Sequence, residues 1–175
     1  MAGQTSLFTI GFTRKSAEQF FALLRGAGVR RVLDVRLNNS SQLAGFAKRE
    51  DLPFFLREIG AMNYLHVPEL APTQELIDLA RKQKQWDRFG KGYLELIRDR
   101  KAETVLTRAQ LHLGCLLCSE DRPDQCHRRI AAEYLAERLG RVRITHLVSR
   151  ATSSRHHEAE HETHVPGFPA GDLRV

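Results

Sequence analysis

Residues Ser6 to Val35 read SLFTIGFTRKSAEQFFALLRGAGVRRVLDV and contain the clearest pattern for the architecture of the chain. The β-rich start of this stretch, Ser6–Ile10, predicts a strand that Gly11 ends. Apolar residues recur at helical spacing from Phe20 to Ala27, and they predict a helix. Val29–Val35 predicts a second strand with a buried centre. A strand, a helix and a strand at this spacing form a right-handed βαβ unit, so we expect a parallel sheet.

The rest of the chain continues this alternation of strands and helices. The near-continuous apolar character of Leu113–Cys118 is typical of a strand that is covered on both faces. We therefore predict an α/β fold, a three-layer sandwich around a mostly parallel sheet of about five strands. The further predicted strands are Asn63–Val67, Leu113–Cys118 and Ile144–Val148, and the further helices are Leu52–Gly60, Gln74–Lys84, Trp86–Arg100 and Arg128–Leu139.

The chain divides into one domain and a tail. Residues 1–150 are predicted to form a single α/β domain, which fits the length of 175 residues. Residues 151–175 form a polar tail in which four histidines alternate with glutamates, and no helical or alternating apolar pattern is visible there. We expect a disordered tail, and a His/Glu metal-binding tract is the alternative interpretation.

Charge and cysteine content restrict the partners and the compartment. The net charge is +6, and because the tail carries −2, the remainder carries +8. A basic body favours nucleic acid or a phosphorylated small molecule as partner, although a soluble protein can be basic without such a role. Cys115, Cys118 and Cys126 form an odd, clustered set in a chain with no secretory signal and no membrane span. These features indicate reduced thiols and a cytoplasmic location without a membrane partner, and they leave the oligomeric state open.

The most reactive side chains lie between Cys118 and Arg128, in a polar loop that follows a predicted strand and precedes a predicted helix. Ligands of open α/β sheets bind at the carboxyl ends of strands. Cys126 lies beside His127 and near a helix N-terminus, surroundings that activate a thiol. Cys118 is a candidate second thiol or pocket wall, Glu120 a general base or substrate anchor, and Arg128 an anion contact.

Three interpretations of this loop remain open. The first is a nucleophilic or redox cysteine, and the second is a lock in which Cys126 and His127 hold the loop. The third is zinc, for which Cys118, Cys126 and His127 supply three ligands, whereas structural zinc sites have four. The sequence therefore assigns no metal ligand and requires no cofactor.

A second candidate set is Asp34-Val35-Arg36, at the end of the second predicted strand. The guanidinium of Arg36 suits phosphate or carboxylate, and Asp34 is a candidate base or orienting group. The alternative is a structural pair, because residues i and i+2 lie on one face of a strand.

The third candidate set is the loop from Gly11 to Ser16, which includes Thr13 and Arg14. A glycine, hydroxyls, cations and a helix N-terminus, with Thr13 or Ser16 as the cap, make a plausible anion-binding loop. The alternative is that Arg14 and Lys15 are simply solvated. All three sets follow predicted strands, so a parallel sheet gathers them at one edge.

Together these motifs resemble the family known as domain of unknown function 488. The resemblance extends from about Ser6 to Val148. It implies an α/β domain with its site at the strand ends, adds Ser40 and Tyr64 to the substrate-binding candidates, and implies no particular reaction. The motifs that carry it are Thr9–Thr13, Val32–Arg36 with Ser40 or Ser41, Gly60–His66 running on to Leu70, Tyr93, Leu116–Glu120 and Cys126–Arg128.

The chain departs from the pattern of that family at two points. Phe12 stands where the family usually has a histidine, and Asn38 or Asn39 stands where it usually has a proline. If the family's histidine is essential, this chain is altered or uses His66 or His127 instead.

Three functions follow as hypotheses. The first is an enzyme or anion-binding protein that acts on a phosphate-bearing or nucleic-acid substrate. The second is a nucleic-acid-binding module without catalysis, and the third is a thiol redox or metal-sensing protein. For the first, the catalytic candidates are Asp34, Cys118, Glu120, Cys126 and His127, and the anion-binding or substrate-binding candidates are Gly11, Thr13, Arg14, Arg36, Ser40, Tyr64 and Arg128.

Overall fold

A computed structural model of the protein describes residues 3–40 and 44–149. All strand pairs of its five-stranded sheet are parallel, in the order β3-β2-β4-β1-β5. The predicted α/β fold with a parallel sheet is therefore confirmed, and the predicted tail, residues 151–175, lies outside the described residues. The strands are β1 (Thr5–Gly11), β2 (Arg31–Asp34), β3 (Asn63–His66), β4 (Gly114–Cys118) and β5 (Val142–Leu147).

Helices connect the strands, and three single-turn 3₁₀ segments lie at Gly45–Ala47, Pro68–Leu70 and Ala102–Thr104. In the described part of the chain, none of the helices has the length and apolar character needed to cross a membrane. The helices are α1 (Ala17–Gly26), α2 (Leu52–Gly60), α3 (Gln74–Arg81), α4 (Trp86–Asp99), α5 (Arg108–Leu111) and α6 (His127–Leu139).

Local sequence explains where two of these helices begin. Ser16 rather than Thr13 caps α1: its side chain accepts the backbone N–H of Gln19, whose side chain accepts the N–H of Ser16. The short helix α5 was not predicted, because four residues are too few to show a helical period. Its signal is a second capping box, between Thr107 and Gln110.

The helices cover both faces of the sheet, as the predicted three-layer sandwich requires. On one face, α1 and α2 pack through side chains such as Phe20 and Leu52 against Ile10, Val32 and Leu117 of the strands. On the other face, α3 to α6 pack against the alternate strand residues, including Leu7, Leu33 and Leu116. Side chains along a strand point alternately to its two faces, so one sheet serves both clusters.

The topology creates a crevice at the carboxyl end of β4. This strand lies between β1 and β2 and is buried along its whole length. The chain leaves β1 and β2 toward helices on one face, and it leaves β4 toward α6 on the other face. Connections that diverge in this way open a space between them, which is where open α/β sheets bind ligands.

Candidate functional site

A cavity of about 530 Å³ lies at this crevice. One wall is formed by Arg36–Asn38, which follow β2, and another by Cys118–Glu120 and Gln125–His127, from the loop between β4 and α6. Helix α3 and the start of α4 complete the cavity. Its volume falls in the range of about 300–1,000 Å³ that small-molecule sites occupy.

Two cysteines and a histidine form a buried cluster in the cavity wall. Cys118 is the last residue of β4, Cys126 is the N-cap of α6, and His127 is the first residue of that helix. The Cys118 sulfur lies 3.5 Å from Nδ1 of His127. The Nε2 atom of His127 donates to the Val35 carbonyl at 2.9 Å, so in the neutral ring Nδ1 is an acceptor that faces Cys118. The rings of His127 and Tyr93 pack in a T-shaped arrangement, with their centroids 5.5 Å apart.

The two thiols differ in their acidity. The Cys126 thiol donates a hydrogen bond that holds the pKa of Cys118 well below its ordinary value, and this bond, with His127 and the Glu120 N–H, outweighs the effect of burial. Burial raises the pKa of Cys126 well above its ordinary value, and the bond to Cys118 raises it further. Burial acts to lower the pKa of His127, but the charge and hydrogen bond of Cys118 raise it overall. Of the two thiols, Cys118 is therefore the more acidic.

Arg128 organises the loop that carries the cluster. Its side chain is fully buried. Nη1 donates to the Glu120 carbonyl and, at 3.2 Å, to the Cys126 sulfur, and Nη2 donates to the Asp121 carbonyl at 2.9 Å. Arg128 was predicted to bind an anion, and the structure places it outside the cavity lining, in contact with the backbone of the loop.

The loop after β1 holds the same segment from the other side. The backbone N–H groups of Phe12 and Thr13 donate to the Cys118 and Ser119 carbonyls at 3.3 and 3.1 Å, and the Thr13 hydroxyl also donates to Ser119, at 2.8 Å. Lys15 is buried and forms an ion pair with Asp121. These contacts fix the loop between Cys118 and Cys126 on β1 as well as on α6.

Asp34 and Arg36 form a buried bidentate ion pair, with Nε–Oδ1 and Nη2–Oδ2 distances of 2.7 Å. The Tyr64 hydroxyl also donates to Oδ2, at 2.7 Å, and the backbone N–H of Arg36 donates to Oδ1. Arg36 lines the cavity, whereas the fully buried Asp34 does not, so the carboxylate acts on the cavity through Arg36. Burial and the charge of Asp34 raise the pKa of Tyr64, which therefore stays protonated as a donor at neutral pH.

Changing Tyr64 to phenylalanine tests this support of Arg36. We expect the free energy of unfolding to fall by about 1.5 kcal/mol, because a hydrogen bond to a charged acceptor is lost. In a double-mutant cycle with Asp34→Asn, measured by urea denaturation, the coupling energy is expected to be at least about 1 kcal/mol. Additive effects of the two substitutions contradict the contact.

Phe12 has a defined place in the site. Its ring is buried, and the guanidinium carbon of Arg36 lies 5.3 Å from the ring centroid, within cation–π range. His66 donates from Nε2 to the Arg36 carbonyl at 3.2 Å. Phe12 is therefore an aromatic support for the Arg36 side chain, and His66 contacts the Arg36 backbone.

The helical wall of the cavity contains residues that the sequence analysis missed. Arg81 on α3 donates to Glu120 at 2.8 Å, and Lys84 follows the same helix. Trp86 and Phe89 of α4 also line the cavity and stack on each other, with ring centroids 4.7 Å apart. The connection between β3 and β4 brings them to the site from a part of the chain without a motif. Their only local signal is the clustering of cations with an aromatic pair.

The predicted site residues are thus only partly brought together. Among the described residues, Cys118, Glu120, Cys126, His127 and Arg36 line the cavity, whereas the other predicted residues lie outside the lining. Arg14 and Ser40 are exposed, and the contacts that the structure gives to Thr13 and Tyr64 are with protein groups. Anion binding by these residues stays a prediction.

The cluster has two chemical capabilities. A thiolate beside an imidazole is the arrangement of a cysteine nucleophile. Two thiols and an imidazole whose ligand atoms lie within 4.8 Å of one another can also bind a metal ion. In either case, the reacting centre is the cluster of Cys118, Cys126 and His127 in the cavity wall.

Comparison with known proteins gives one match. The profile of a family described as "Domain of unknown function DUF488" matches residues 16–135, which is more than half of the chain. The match includes the Asp34–Arg36 and Cys118–Arg128 segments and begins after the Thr9–Thr13 motif. No curated protein and no solved structure matches the chain.

Proposed function

Because the chain belongs to the DUF488 family, whose description assigns no activity, we propose its function from its own site: an enzyme that acts on a phosphate-bearing substrate with a flat ring, a nucleotide or an unpaired nucleotide of a nucleic acid. The observation that carries the proposal is that cations, aromatic rings and the Cys118–His127 pair share one cavity. A surface that only attracts nucleic acid has no need of a buried thiol–imidazole pair at its centre.

The charge of the cavity supports an anionic substrate. Arg36, Arg81 and Lys84 line it, and Glu120 is the one carboxylate among the lining residues that the structure describes. Arg36 is held by Asp34 through Nε and Nη2, and neither of these bonds uses Nη1. Guanidinium groups bind phosphate oxygens through short, charge-assisted hydrogen bonds.

The aromatic wall supports a nucleotide over a simple phosphate. Trp86 and Phe89 lie on the same cavity as the cations, and stacking of a base on an aromatic side chain contributes about 1–3 kcal/mol. In this arrangement the phosphate contacts Arg36 and Arg81, the base contacts Trp86, and the bond that reacts lies beside Cys118 and His127.

Titration calorimetry with AMP and with inorganic phosphate tests the binding part of the proposal. Arg81→Ala is expected to lower the affinity for both ligands by about tenfold or more, because a charge-assisted contact is lost. Trp86→Ala is expected to lower the affinity for AMP by about tenfold and to leave the affinity for phosphate unchanged. Arg57→Ala is the matched control, since this exposed arginine lies on α2, at the other face of the sheet, and pairs with Glu58. Binding that is insensitive to Arg81 and Trp86 contradicts the proposal.

Catalysis is tested by turnover. The protein is incubated with a panel of nucleoside monophosphates and short single-stranded oligonucleotides, and the mixtures are analysed by mass spectrometry. A product formed by the wild-type protein and lost in Cys118→Ser supports an enzyme. If Cys118→Ser forms as much product as the wild-type protein, Cys118 is not part of the reacting centre. If the ligands bind and no product forms, the result favours an anion-binding protein.

A further inference from the structure

We propose that Cys118, Cys126 and His127 bind a thiophilic divalent cation, zinc above all, with its fourth coordination position open to the cavity. That a substrate atom enters this open position rests on the proposed function. The binding of the metal does not. The metal site stands on the geometry of three side chains.

The separation of Cys118 and His127 matches that of two ligands on one tetrahedral zinc ion. Zinc binds cysteine sulfur at about 2.3 Å and histidine nitrogen at about 2.0–2.1 Å, so a sulfur and a nitrogen on one tetrahedral ion lie about 3.5 Å apart. The Cys118 sulfur and the His127 Nδ1 atom are separated by 3.5 Å. The Cys126 sulfur completes a set in which all ligand atoms lie within 4.8 Å of one another.

The surroundings orient these three groups as metal ligands. Histidine ligands of metals donate their second ring N–H to a carbonyl or carboxylate, and His127 donates from Nε2 to the Val35 carbonyl at 2.9 Å. The Cys126 sulfur accepts a hydrogen bond from Arg128 Nη1 at 3.2 Å. Donors of this kind stabilise a metal thiolate centre.

The cluster is also held rigidly before any ion binds. Its members are only 2–8% exposed, and each is fixed by an element end: the last residue of β4, the N-cap of α6 and the first residue of α6. The Glu120 side chain is engaged with Arg81 at 2.8 Å. Since all three ligands line the cavity, the fourth position faces the space where a water molecule or a substrate atom enters. Three protein ligands with an open position are the pattern of catalytic zinc sites.

From the sequence, zinc was one of three open interpretations of this loop, and no metal ligand was assigned. The spacing between Cys118 and Cys126 lacks the C-x-x-C form of common zinc motifs, and the adjacency of Cys126 and His127 is not a familiar ligand spacing. The N-cap geometry of α6 brings both residues of this adjacent pair to Cys118.

Cobalt and zinc binding to the full chain tests the site. The protein is stripped of metal with a chelator under reducing conditions and titrated with Co²⁺, and zinc affinity is measured by competition with a chromophoric chelator. One equivalent of Co²⁺ is expected to give a sulfur-to-cobalt absorption band. Each of Cys118→Ser, Cys126→Ser and His127→Gln is expected to weaken zinc binding by at least about 100-fold. Cys115→Ala is the matched control, because Cys115 is buried in the cluster on the opposite face of the sheet.

Two features keep the test decisive. His156, His157, His161 and His164, which lie outside the described residues, are also potential zinc ligands, but nitrogen ligands give no sulfur-to-cobalt band. Zinc X-ray absorption of the wild-type protein needs no variant to fold and is expected to give two sulfur neighbours at about 2.3 Å. A nitrogen-only shell, or zinc affinity that is equal in the wild-type protein and a folded Cys118→Ser variant, overturns the site while leaving the nucleotide-binding result unaffected.

Discussion

Replacing Gly11 by alanine is expected to lower the free energy of unfolding by about 3–5 kcal/mol, which corresponds to roughly 10 °C in melting temperature. A Cβ atom at this position would lie 1.6 Å from the Glu120 carbonyl oxygen and 2.5 Å from its carbon. Both are backbone atoms, so relief requires the loop after β4 to move away from β1. The loop then loses its bonds to Phe12 and Thr13.

Urea denaturation and thermal melting measure this effect, and Gly26→Ala is the matched control. Gly26 is the last residue of α1, and a Cβ atom there meets nothing within 4 Å. Alanine also favours a helix over glycine by up to about 1 kcal/mol, so this variant is expected to be neutral or slightly more stable. Equal stability of Gly11→Ala and Gly26→Ala would show that the loop does not approach β1 as described.

Replacing Arg128 by methionine is expected to cost about 3 kcal/mol. Methionine fills much of the space, but it leaves the Glu120 and Asp121 carbonyls and the Cys126 sulfur without the donor that Arg128 provides. The gain from no longer burying a cation offsets part of this loss, since desolvating a guanidinium is itself costly. The loss of three bonds to a charged donor is the larger effect.

Arg129→Ala provides the comparison for Arg128. Arg129, the next residue along the chain, forms an i,i+4 pair with Glu133 at 3.5 Å, at the partly exposed surface of α6. Such pairs contribute about 0.3–0.5 kcal/mol, so little change in stability is expected. We also expect Arg128→Met, where it folds, to weaken zinc binding, because the loop positions Cys126 relative to Cys118. An Arg128→Met variant that is as stable as Arg129→Ala is incompatible with a loop organised by this side chain.

The two substitutions probe one feature from opposite sides. The loop between Cys118 and Cys126 has no helix or strand, yet the two cysteines at its ends belong to the reactive cluster. The absence of a Cβ atom at Gly11 lets the loop backbone pack against β1, and Arg128 of α6 donates hydrogen bonds to the loop backbone. The rigidity of the site therefore depends on residues that do not line the cavity.

Much of the fold was readable from the sequence because secondary structure follows local patterns. Alternating and continuous apolar runs gave the five strands, and helical spacing gave every long helix, with α2 predicted from its first residue to its last. The ends of some helices and strands were predicted less accurately. Helix α3 ends at Arg81 rather than Lys84, and β5 begins at Val142 rather than Ile144, because the final turns of such elements depend on tertiary packing.

The parallel α/β order of elements could be predicted from the sequence alone, because hydrophobic periodicity is a local property. The same pattern predicted that five residues gather at strand ends, because parallel strands share one edge: Asp34, Arg36, Cys118, Cys126 and His127. Which of these groups face a cavity became visible in the three-dimensional structure. Asp34 supports Arg36, and Gly11 permits a close backbone approach. Arg81 and Trp86 reach the cavity from two helices, α3 and α4, in which the sequence shows no motif. Those relations depend on distances between residues far apart in the chain, which residue type and spacing do not encode.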